Sequence, residues 1–449
     1  MSIALVLLAA GKGTRMDSDI PKVLHKIGGA PLLHHAMLSA SALEPERIIV
    51  VTGHGAEEVE AAARAFDADV VTVRQDVQHG TAHAVAQAKE ALSDFAGDVI
   101  ILYGDTPFIS TETLDALLSK RSTHDVVVLG FNAADPGRYG RLIMDGTTLS
   151  RIVEFKDASP EERAITLCNS GVICADASHL FDLIDAVDAN NASGEYYLTD
   201  IVAIAHDRGL KTTAITCDEA ETLGINSRAE LAAAETVFQH RTRAAMLENG
   251  VQMQAPDTVY FSFDTVIGRD AEIDPHVVFA PGVTVESNAR IRAFSHLEGA
   301  HVSRDATVGP YARLRPGAEL AEHVHIGNFV EIKNARIDEG AKVNHLSYVG
   351  DAEIGARTNI GAGTITCNYD GVMKHKTTIG QNSFIGSNTM LVAPVNVGND
   401  AMTATSTTVT KDVPDGAMAI ARTEQINKKG FARKLFSILR AKKAKQAKD

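Results

Sequence analysis

Residues 267–291 read IGRDAEIDPHVVFAPGVTVESNARI, and an apolar side chain recurs at every sixth position: Ile267, Ile273, Phe279, Val285 and Ile291. With a few five-residue steps and one gap, the series continues through Leu297, Val302, Val308, Leu314, Leu320, Ile326, Ile332, Ile337, Val343, Val349, Ile354, Ile360, Ile379, Ile385, Leu391 and Val397, and the next slots are Thr403 and Val409. A strict short period is typical of solenoids, in which each repeat buries its apolar residue by stacking on its neighbours. Six residues are too few for a helical repeat, and the spacing is not a helical period. The pattern predicts a three-sided parallel β-helix, with three hexads to a coil and each apolar residue pointing to the axis.

The composition narrows the class of protein. The chain has 449 residues, so more than one domain is expected, because single cores stop growing near about 250–300 residues. Its 43 Lys and Arg against 57 Asp and Glu give a net charge of −14, which argues against a general nucleic-acid binder. No apolar run approaches the length of a membrane span, and the first residues lack the basic region of a signal peptide. The four cysteines form no CxxC pair, so we expect a cytoplasmic protein with reduced thiols.

The first half of the chain alternates strand-like apolar runs with helical stretches. The predicted strands are Ile3–Ala9, Arg47–Thr52, Asp69–Val73, Asp98–Tyr103, Val126–Gly130 and Lys211–Thr216. The predicted helices are Pro31–Ala42, Ala56–Ala65, Gly80–Leu92, Thr111–Lys120, Ala177–Asn190 and Tyr196–Asp207. This alternation predicts a Rossmann-like α/β domain with a mostly parallel sheet.

A helix is predicted between the two regions. Ser227 can cap it, Glu230 completes a capping box three residues later, and Gly250 follows its end. The predicted organisation is an α/β domain over residues 1–226, a linker helix over 227–250, the β-helix over 251–422 and a basic tail over 423–449.

The tail carries nine cations between Lys428 and Lys448. Phe431, Leu435 and Leu439 fall at helical spacing within it. The tail is predicted to be either a solvated terminus or a basic amphipathic helix.

A glycine-rich turn, Leu8-Ala9-Ala10-Gly11-Lys12-Gly13-Thr14-Arg15-Met16, follows the first strand. A turn of this kind lets backbone N–H groups approach a phosphate. The spacing is not that of a Walker A loop, and Met16 stands where the dinucleotide fingerprint has its third glycine. The turn therefore indicates a phosphate ligand, but neither an ordinary ATPase nor a dehydrogenase.

Other polar residues follow predicted strands in this half. Lys22 offers an ammonium group to a phosphate, and the Gln75 amide can pair with a base edge. Gly80 permits close approach of the backbone. Asp105 ends the run Tyr103-Gly104-Asp105 after a strand, which is where α/β ligands bind, and it is a candidate Mg²⁺ ligand.

In the repeat half, polar residues without a stacking role are the informative ones. They fall within a few coils of one another: Arg315, Lys333, His345, Tyr348, Asn359, Asn368 and Tyr369. The hexads break between Ile360 and Ile379, where a loop is predicted to leave the coil. Loops on a rigid scaffold often carry function.

The N-terminal motifs resemble those of the sugar-nucleotide pyrophosphorylase family. The matching residues are Leu8 to Met16, Pro21-Lys22, Gln75, Gly80-Thr81, Tyr103-Gly104-Asp105, Gly140-Arg141, Glu154 and Asn169-Ser170-Gly171. The second half resembles the hexapeptide-repeat acyltransferases, which implies a left-handed parallel β-helix. Together the halves resemble bifunctional enzymes that transfer acetyl from acetyl-CoA to glucosamine-1-phosphate and then uridylyl from UTP to N-acetylglucosamine-1-phosphate. The resemblance also implies a homotrimer assembled through the β-helix.

The first resemblance assigns roles to matching positions. Ala9, Ala10 and Gly11 would hold the nucleotide; Gln75, Gly80 and Thr81 would read uracil; Gly140, Glu154 and Asn169 would hold the sugar; and Asp105 and Asn226 would bind Mg²⁺. Arg15 and Lys22 would stabilise charge during nucleotidyl transfer. Asn226 is implied by the resemblance alone.

The second resemblance does the same for the β-helix. Arg315 and Lys333 would hold the sugar phosphate; Tyr348, Asn359 and Asn368 would orient the sugar; and His345 would accept the amine proton. Ala362, Ser387, Thr405 and Arg422 would line the coenzyme A groove. Thr405-Ser406 departs from the family's usual Ala-Gly, so crowding at the coenzyme is expected there.

Two other functions are compatible with a hexapeptide β-helix. His323-x-His325 suggests an intersubunit zinc site, although the N-terminal domain would then have no purpose. A non-catalytic regulatory or assembly subunit of pyrophosphorylase type is the second alternative. The presence of Lys22, Asp105, Asn226 and His345 disfavours it, because a scaffold does not need them.

Overall fold

The computed structural model describes residues 2–447, so Lys448 of the basic tail lies outside the described residues. The chain forms two compact units. One comprises Met1–Ala244 with Phe261–Phe263, and the other comprises Ala245–Tyr260 with Asp264–Asp449. The division falls inside a long helix, α8, which spans Arg228–Glu248.

The first unit is an α/β structure. Its strands are β1 Ile3–Leu8, β2 Lys26–Ile27, β3 Ala30–Pro31, β4 Arg47–Thr52, β5 Val71–Arg74, β6 Asp98–Tyr103, β7 Val126–Asn132, β8 Arg141–Asp145, β9 Thr148–Val153, β10 Leu167–Asp176 and β11 Thr212–Cys217. Its helices are α1 Leu32–Ser41, α2 Ala56–Phe66, α3 Thr81–Ala86, α4 Thr111–Arg121, α5 Pro160–Arg163, α6 Ala177–Ile184 and α7 Asp200–Asp207, followed by α8.

Nine of these strands form one sheet, with the order β11-β7-β10-β6-β1-β4-β5 and the hairpin β8–β9 attached at β10. All pairs along this path are parallel except those of β10, which runs antiparallel to β6 and β7. The central strand β1 is almost continuously apolar because each of its faces packs on a separate buried cluster. The predicted Rossmann-like, mostly parallel sheet is therefore confirmed.

The predicted strands match observed ones to within about two residues at either end. Three helices are shorter than predicted: α3 ends at Ala86 and is followed by a 3₁₀ turn, α6 ends at Ile184, and α7 begins at Asp200. The sequence reading missed β10 and the hairpin β8–β9. In β10 the run Asn169-Ser170-Gly171 interrupts the apolar pattern at a register shift.

The second unit is the β-helix. Its strands are β12 Gln252–Met253, β13 Val266–Ile267, β14 Glu272–Ile273, β15 Val278–Phe279, β16 Thr284–Val285, β17 Arg290–Ile291, β18 His296–Leu297, β19 Ala300–Val302, β20 Thr307–Val308, β21 Arg313–Leu314, β22 Ala318–Leu320, β23 His325–Asn328, β24 Glu331–Ile337, β25 Lys342–His345, β26 Tyr348–Ile354, β27 Asn359–Ile360, β28 Ile365–Cys367, β29 Thr377–Ile379, β30 Phe384–Ile385, β31 Met390–Val392, β32 Val395–Val397, β33 Met402–Thr403, β34 Thr408–Val409 and β35 Met418–Ala419. Ten strands form one face, and fourteen form the other two, which are joined because β24 and β26 continue across a corner.

Register pairing confirms the hexad prediction. Ile267 pairs with Val285, which pairs with Val302, so residues three hexads apart stack directly on neighbouring coils. All members of the predicted series are buried. Thr403 and Thr366 also occupy interior positions, and their hydroxyls bond neighbouring backbone groups, Gly386 N–H and Gly350 C=O respectively. The left-handed parallel β-helix is thus the fold of this unit.

The break in the hexads is a loop, as predicted. It leaves the coil after β28 and returns at β29, with Tyr369 and Lys374 paired in an antiparallel bridge. The last helix, α9, spans Phe431–Gln446 within the basic tail.

Candidate functional sites

A cavity of about 450 Å³ opens at the carboxyl ends of β1 and β6, whose last residues, Leu8 and Tyr103, are register partners. Its walls are Leu8, Ala9, Ala10, Gly11, Lys22, Val23, Gln75, Gln78, Gly80, Thr81, Ala84, Tyr103, Asp105, Glu195 and Asn226. Most residues predicted for the nucleotide site therefore surround one space. Gly104 packs beside it, since a Cβ at this position would contact Val23 and Leu33.

The glycine-rich turn is held by close packing. Gly13 has a left-handed conformation, and an added Cβ would come within 2.6 Å of the Lys22 Cβ. Met16 is buried, whereas Arg15 is exposed on the same 3₁₀ turn and does not line the cavity. The structure thus brings Lys22 into the cavity but leaves Arg15 outside its walls.

Lys22, Asp105 and Asn226 form the polar centre of the cavity. The Lys22 ammonium donates to a carboxylate oxygen of Asp105 and, at 3.0 Å, to the amide oxygen of Asn226. The Lys22 and Asp105 side chains are only 15% and 14% exposed. A carboxylate and an amide oxygen thus converge on one cation, and such oxygens are the ligands that Mg²⁺ prefers. This donor set fits Mg²⁺.

A second group positions the predicted base-reading residues. The buried Gln75 amide nitrogen donates to the Gly80 carbonyl oxygen at 3.0 Å. Gly80 has φ +119°, and an added Cβ would lie 2.5 Å from the Tyr196 carbonyl oxygen, so only glycine fits there. The Thr81 hydroxyl accepts from the Leu198 N–H at 2.9 Å. These contacts lock the segments at 75–81 and 196–198 together.

The predicted sugar-binding residues lie near one another. A Cβ added at Gly140 would lie 3.3 Å from a Glu154 carboxylate oxygen. The Gly140 carbonyl oxygen accepts from the Asn169 N–H at 2.9 Å. Burial raises the pKa of Glu154, to which the Thr199 hydroxyl donates at 3.2 Å. Glu154 also lines a second cavity of about 420 Å³.

The sequence reading missed two residues here, Thr199 and Asp200. The pKa of Asp200 is raised to about 6. Burial is the largest cause, and the negative charges of Asp188, Glu154 and Asp157 add to it. Their signal in the sequence is weak, because both residues lie inside the predicted helix Tyr196–Asp207.

Arg228 was also missed. Its Nε donates to the Met16 carbonyl oxygen at 3.2 Å, and Nη1 lies 3.3 Å from the His25 Nδ1. Burial, together with the Arg228 charge, lowers the pKa of His25. Arg228 therefore ties the beginning of α8 to the end of the glycine-rich turn.

In the β-helix, a cationic group surrounds the base of the loop. Arg315 donates to Glu331 at 2.8 Å. The pKa of Lys333 is lowered, chiefly by the neighbouring ammonium of Lys374 and then by the charge of Arg315. Asp351 faces both lysines. Crowded cations of this kind suit a phosphate ligand. Lys374 was missed because it lies in the loop, outside the repeat.

Asn368 connects the loop to this group. It is buried, its amide donates to an Asp351 carboxylate oxygen, and its nitrogen is 3.5 Å from the Tyr348 hydroxyl. Tyr369 is exposed, and its hydroxyl donates to the Gly371 carbonyl oxygen at 2.6 Å within the loop.

His345 ends β25 on the ten-stranded face, whereas Tyr348 begins β26 on the next face. The His345 Nδ1 lies 2.7 Å from the Asn328 Oδ1, and its side chain is exposed. Asn359 begins the adjoining strand β27. His345 and Asn359 thus share one face, and the corner at Leu346 separates them from Tyr348.

The predicted coenzyme residues lie on successive coils. The Ala362 carbonyl accepts from Asn388 at 2.7 Å, and the Ser387 carbonyl accepts from Ser406 at 2.8 Å. Arg422 donates to the Thr405 carbonyl at 2.8 Å. Ser406 has φ +61°, the left-handed conformation for which glycine is the usual choice.

The fold and its two polar centres define a two-domain transferase, with a nucleotidyltransferase domain followed by a hexapeptide-repeat transferase domain. The family model for MobA-like NTP transferase domains matches residues 5–183. Those for the bacterial transferase hexapeptide and for the hexapeptide repeat of succinyl-transferase match residues 264–299 and 376–411.

Full-length relatives define the family more closely. The Bifunctional protein GlmU of Jannaschia sp. (strain CCS1) is 62% identical over 447 residues, which cover 100% of this chain and 98% of that protein. The proteins of the same name from Ruegeria sp. (strain TM1040) and Ruegeria pomeroyi (strain ATCC 700808 / DSM 15171 / DSS-3) are 65% and 66% identical, and cover 100% of both chains. The chain belongs to the family of the bifunctional protein GlmU. It is a bifunctional acyltransferase and nucleotidyltransferase that acts on nucleotide and sugar-phosphate substrates.

Two findings concern membranes and assembly. Across residues 2–447, no helix has both the length and the apolar character needed to cross a membrane. Hexapeptide repeats such as those matched here are compatible with oligomers.

Proposed function

We propose that the chain makes UDP-N-acetylglucosamine in two steps at two sites. Residues 251–422 would acetylate glucosamine-1-phosphate from acetyl-CoA, and residues 1–226 would then transfer uridylyl from UTP to N-acetylglucosamine-1-phosphate. The observation that carries the proposal is the cavity in which the glycine-rich turn and Gln75 meet the Lys22–Asp105–Asn226 group. Since UTP and acetyl-CoA are metabolites of the cytoplasm, we place the reaction there.

In the uridylyl step, a phosphate oxygen of the sugar-1-phosphate attacks the α-phosphorus of UTP, and the bond to pyrophosphate breaks. This reaction needs no protein nucleophile, only positioning and neutralisation of charge. Ala9, Ala10 and Gly11 would hold the nucleotide, and because the Ala9 N–H is donated to the Val51 carbonyl oxygen at 2.9 Å, the backbone N–H groups that contact it would be those of Ala10 and Gly11. Lys22 and Arg15 would face the charge that builds on the departing pyrophosphate.

Asp105 and Asn226 would hold Mg²⁺, which supplies charge neutralisation at the phosphates. The Lys22 ammonium now rests between these two oxygens, so it must leave them to meet the substrate. Gln75, Gly80 and Thr81 would contact uracil, with Tyr103 and Gly104 beside them. Gly140, Glu154 and Asn169 would contact the sugar.

In the acetyl step, the sugar amine attacks the thioester carbonyl and coenzyme A leaves as the thiol. His345 would remove the amine proton as a general base, a role that histidine fills more often than other residues. With Nδ1 donating to the Asn328 Oδ1, Nε2 is left as the base. Arg315 and Lys333 would hold the phosphate.

The remaining contacts of the acetyl step follow the resemblance. Tyr348, Asn359, Asn368 and Tyr369 would orient the sugar. Ala362, Ser387, Thr405 and Arg422 would line the path of coenzyme A, and their placement on successive coils supports an extended ligand.

We also propose that the enzyme is a homotrimer through its β-helix. An exposed aromatic column supports this proposal: His276, Phe294, Tyr311 and Phe329 stack coil upon coil, with ring centroids 4.9–5.3 Å apart. Phe294, Tyr311 and Phe329 are each about half exposed, and assembly would cover such a surface.

Two assays test the proposal. One mixes UTP, N-acetylglucosamine-1-phosphate and Mg²⁺ and measures pyrophosphate; the other mixes acetyl-CoA with glucosamine-1-phosphate and measures free thiol. We expect turnover in both. Turnover of other sugar phosphates in place of these would refute the substrates, and an active monomer in light scattering would refute the trimer.

A further inference from the structure

The helix α9 has no place in either proposed reaction. Every residue from 421 to 447 is exposed, so α9 stands apart from the packed β-helix coils. One apolar stripe runs along α9 at helical spacing and has Phe436 on its flank. Its members are Phe431, Leu435, Ile438 and Leu439. These five side chains are between 42% and 58% exposed. An apolar stripe of this kind is costly in water unless something covers it.

The charge on this segment is unlike that of the rest of the chain. Residues 425–447 contain eight Lys and Arg and no Asp or Glu. The whole chain has a net charge of −14, so the remaining residues carry −22. Beyond Leu439, Lys442 continues the line of the apolar stripe, and Lys443 and Lys445 lie on either side of it. One end of the helix is therefore apolar on a single face, and the other end is cationic almost all round.

The length of α9 determines how it could meet a lipid bilayer. Sixteen residues extend about 24 Å, less than the roughly 30 Å of a hydrocarbon core, and six of them are cationic. The helix cannot cross the bilayer. It can lie in the interface, with the Phe431–Leu439 face among the acyl chains and the lysines at the headgroups.

We propose that α9 binds the surface of an anionic lipid bilayer and holds the enzyme there as a peripheral protein. Apolar side chains and cations each contribute: the former partition into the interface, and the latter are attracted to anionic headgroups. A nucleic acid would engage the cations but would leave the apolar stripe uncovered. The acidic remainder of the chain would also attract the cations, but α9 is fully exposed rather than packed on it.

The test uses the full-length enzyme and sedimentation with lipid vesicles at about 0.1 M salt. We expect binding to vesicles of two parts phosphatidylcholine to one part phosphatidylglycerol, and little to phosphatidylcholine alone. Leu435→Gln with Leu439→Gln keeps the charge and removes half of the stripe, and it should weaken binding at least about tenfold. The matched control is Ala441→Gln with Ala444→Gln, which changes two exposed residues off the stripe and should bind as the unmodified enzyme does.

Pyrophosphate release and free-thiol release should both be unchanged in the two variants, which separates this proposal from the assigned activities and verifies the folding of both units. Equal vesicle binding by the two variants would overturn the proposal, because the attraction would then be purely electrostatic. Failure of the unmodified enzyme to bind anionic vesicles would overturn it as well. So would capture of a single-stranded RNA oligonucleotide by both variants in preference to the vesicles.

Discussion

Replacing Lys22 by Met removes the charge at the centre of the nucleotidyl cavity and keeps the packing of the side chain's first carbons against Gly13. The Lys22 side chain is only 15% exposed and its first carbons pack against Gly13, so its ammonium is confined to the cavity in which the phosphates would bind. Removing one preorganised donor from a site where charge develops typically costs on the order of 10²–10³ in turnover, or about 3–4 kcal/mol. We expect a loss of that size in kcat for uridylyl transfer. The KM for UTP should change by less than about fivefold.

The same substitution should lower the Mg²⁺ concentration that activity requires, although it also lowers kcat. The Lys22 ammonium lies between the two oxygens proposed to bind the metal, so it competes with a cation for them. In the Lys22→Met variant, half-maximal activity should therefore require no more Mg²⁺ than in the unmodified enzyme, and we expect it to require less. A role in holding the metal would give the reverse.

The assay is steady-state pyrophosphate release with UTP and Mg²⁺ varied independently. Free-thiol release from acetyl-CoA by the same preparation is the control, and it should be unaffected. The reasoning is refuted if kcat is retained and only the KM for UTP rises, since Lys22 would then be a ground-state binding residue. Recovery of full turnover at high Mg²⁺ would also refute it, because Lys22 would then act only by helping to hold the metal.

Three further predictions follow from named residues. Asp105→Ala should abolish pyrophosphate release and leave acetyl transfer near normal, whereas His345→Ala should do the reverse; a folded variant that loses both activities contradicts two independent sites. The pKa of Asp200 is raised from 3.8 to about 6, so its protonated form stabilises the fold below about pH 4, and this contribution is lost as the pH rises through about 6. Asp200→Asn should therefore raise the free energy of unfolding by about 1–2 kcal/mol near neutral pH and by much less near pH 4, as measured by urea unfolding, and an equal effect at both would argue against the shift. Thr405→Ala should lower the KM for acetyl-CoA and leave that for glucosamine-1-phosphate unchanged; an unaltered KM for acetyl-CoA would show that Thr405 does not crowd the coenzyme.

The repeat half was predictable because its signal is redundant. Each hexad independently places one apolar residue inside, so occasional shorter steps and a nine-residue loop do not obscure the period. Even interior Thr403 fits, because its hydroxyl bonds the Gly386 N–H. Loop residues such as Lys374 were not predictable, since nothing periodic marks them.

In the α/β half, the parallel strands were predictable because they are buried on both faces and read as continuous apolar runs. The antiparallel strand β10 was not, because it carries the polar run Asn169-Ser170-Gly171 through the sheet. That interruption brings Asn169 next to Gly140, where we propose that the sugar binds. Local pattern and site requirements conflict there, and such conflicts are expected at functional positions.

The hydrogen bonds at the start of α8 also show a conflict between local pattern and site requirements. The sequence predicts a capping box, and the Ser227 hydroxyl does accept from the Glu230 N–H at 3.2 Å. The reciprocal half of the box is wrong, however, because the Glu230 carboxylate accepts from the Asn226 N–H at 2.6 Å instead. Two neighbouring residues then point to the nucleotidyl site: Asn226 meets the Lys22 ammonium, and Arg228 meets the Met16 carbonyl oxygen. Because the Glu230 carboxylate bonds the N–H one residue before the cap, the start of the helix also fixes Asn226, a candidate metal ligand, and a rule of local capping could not reveal this.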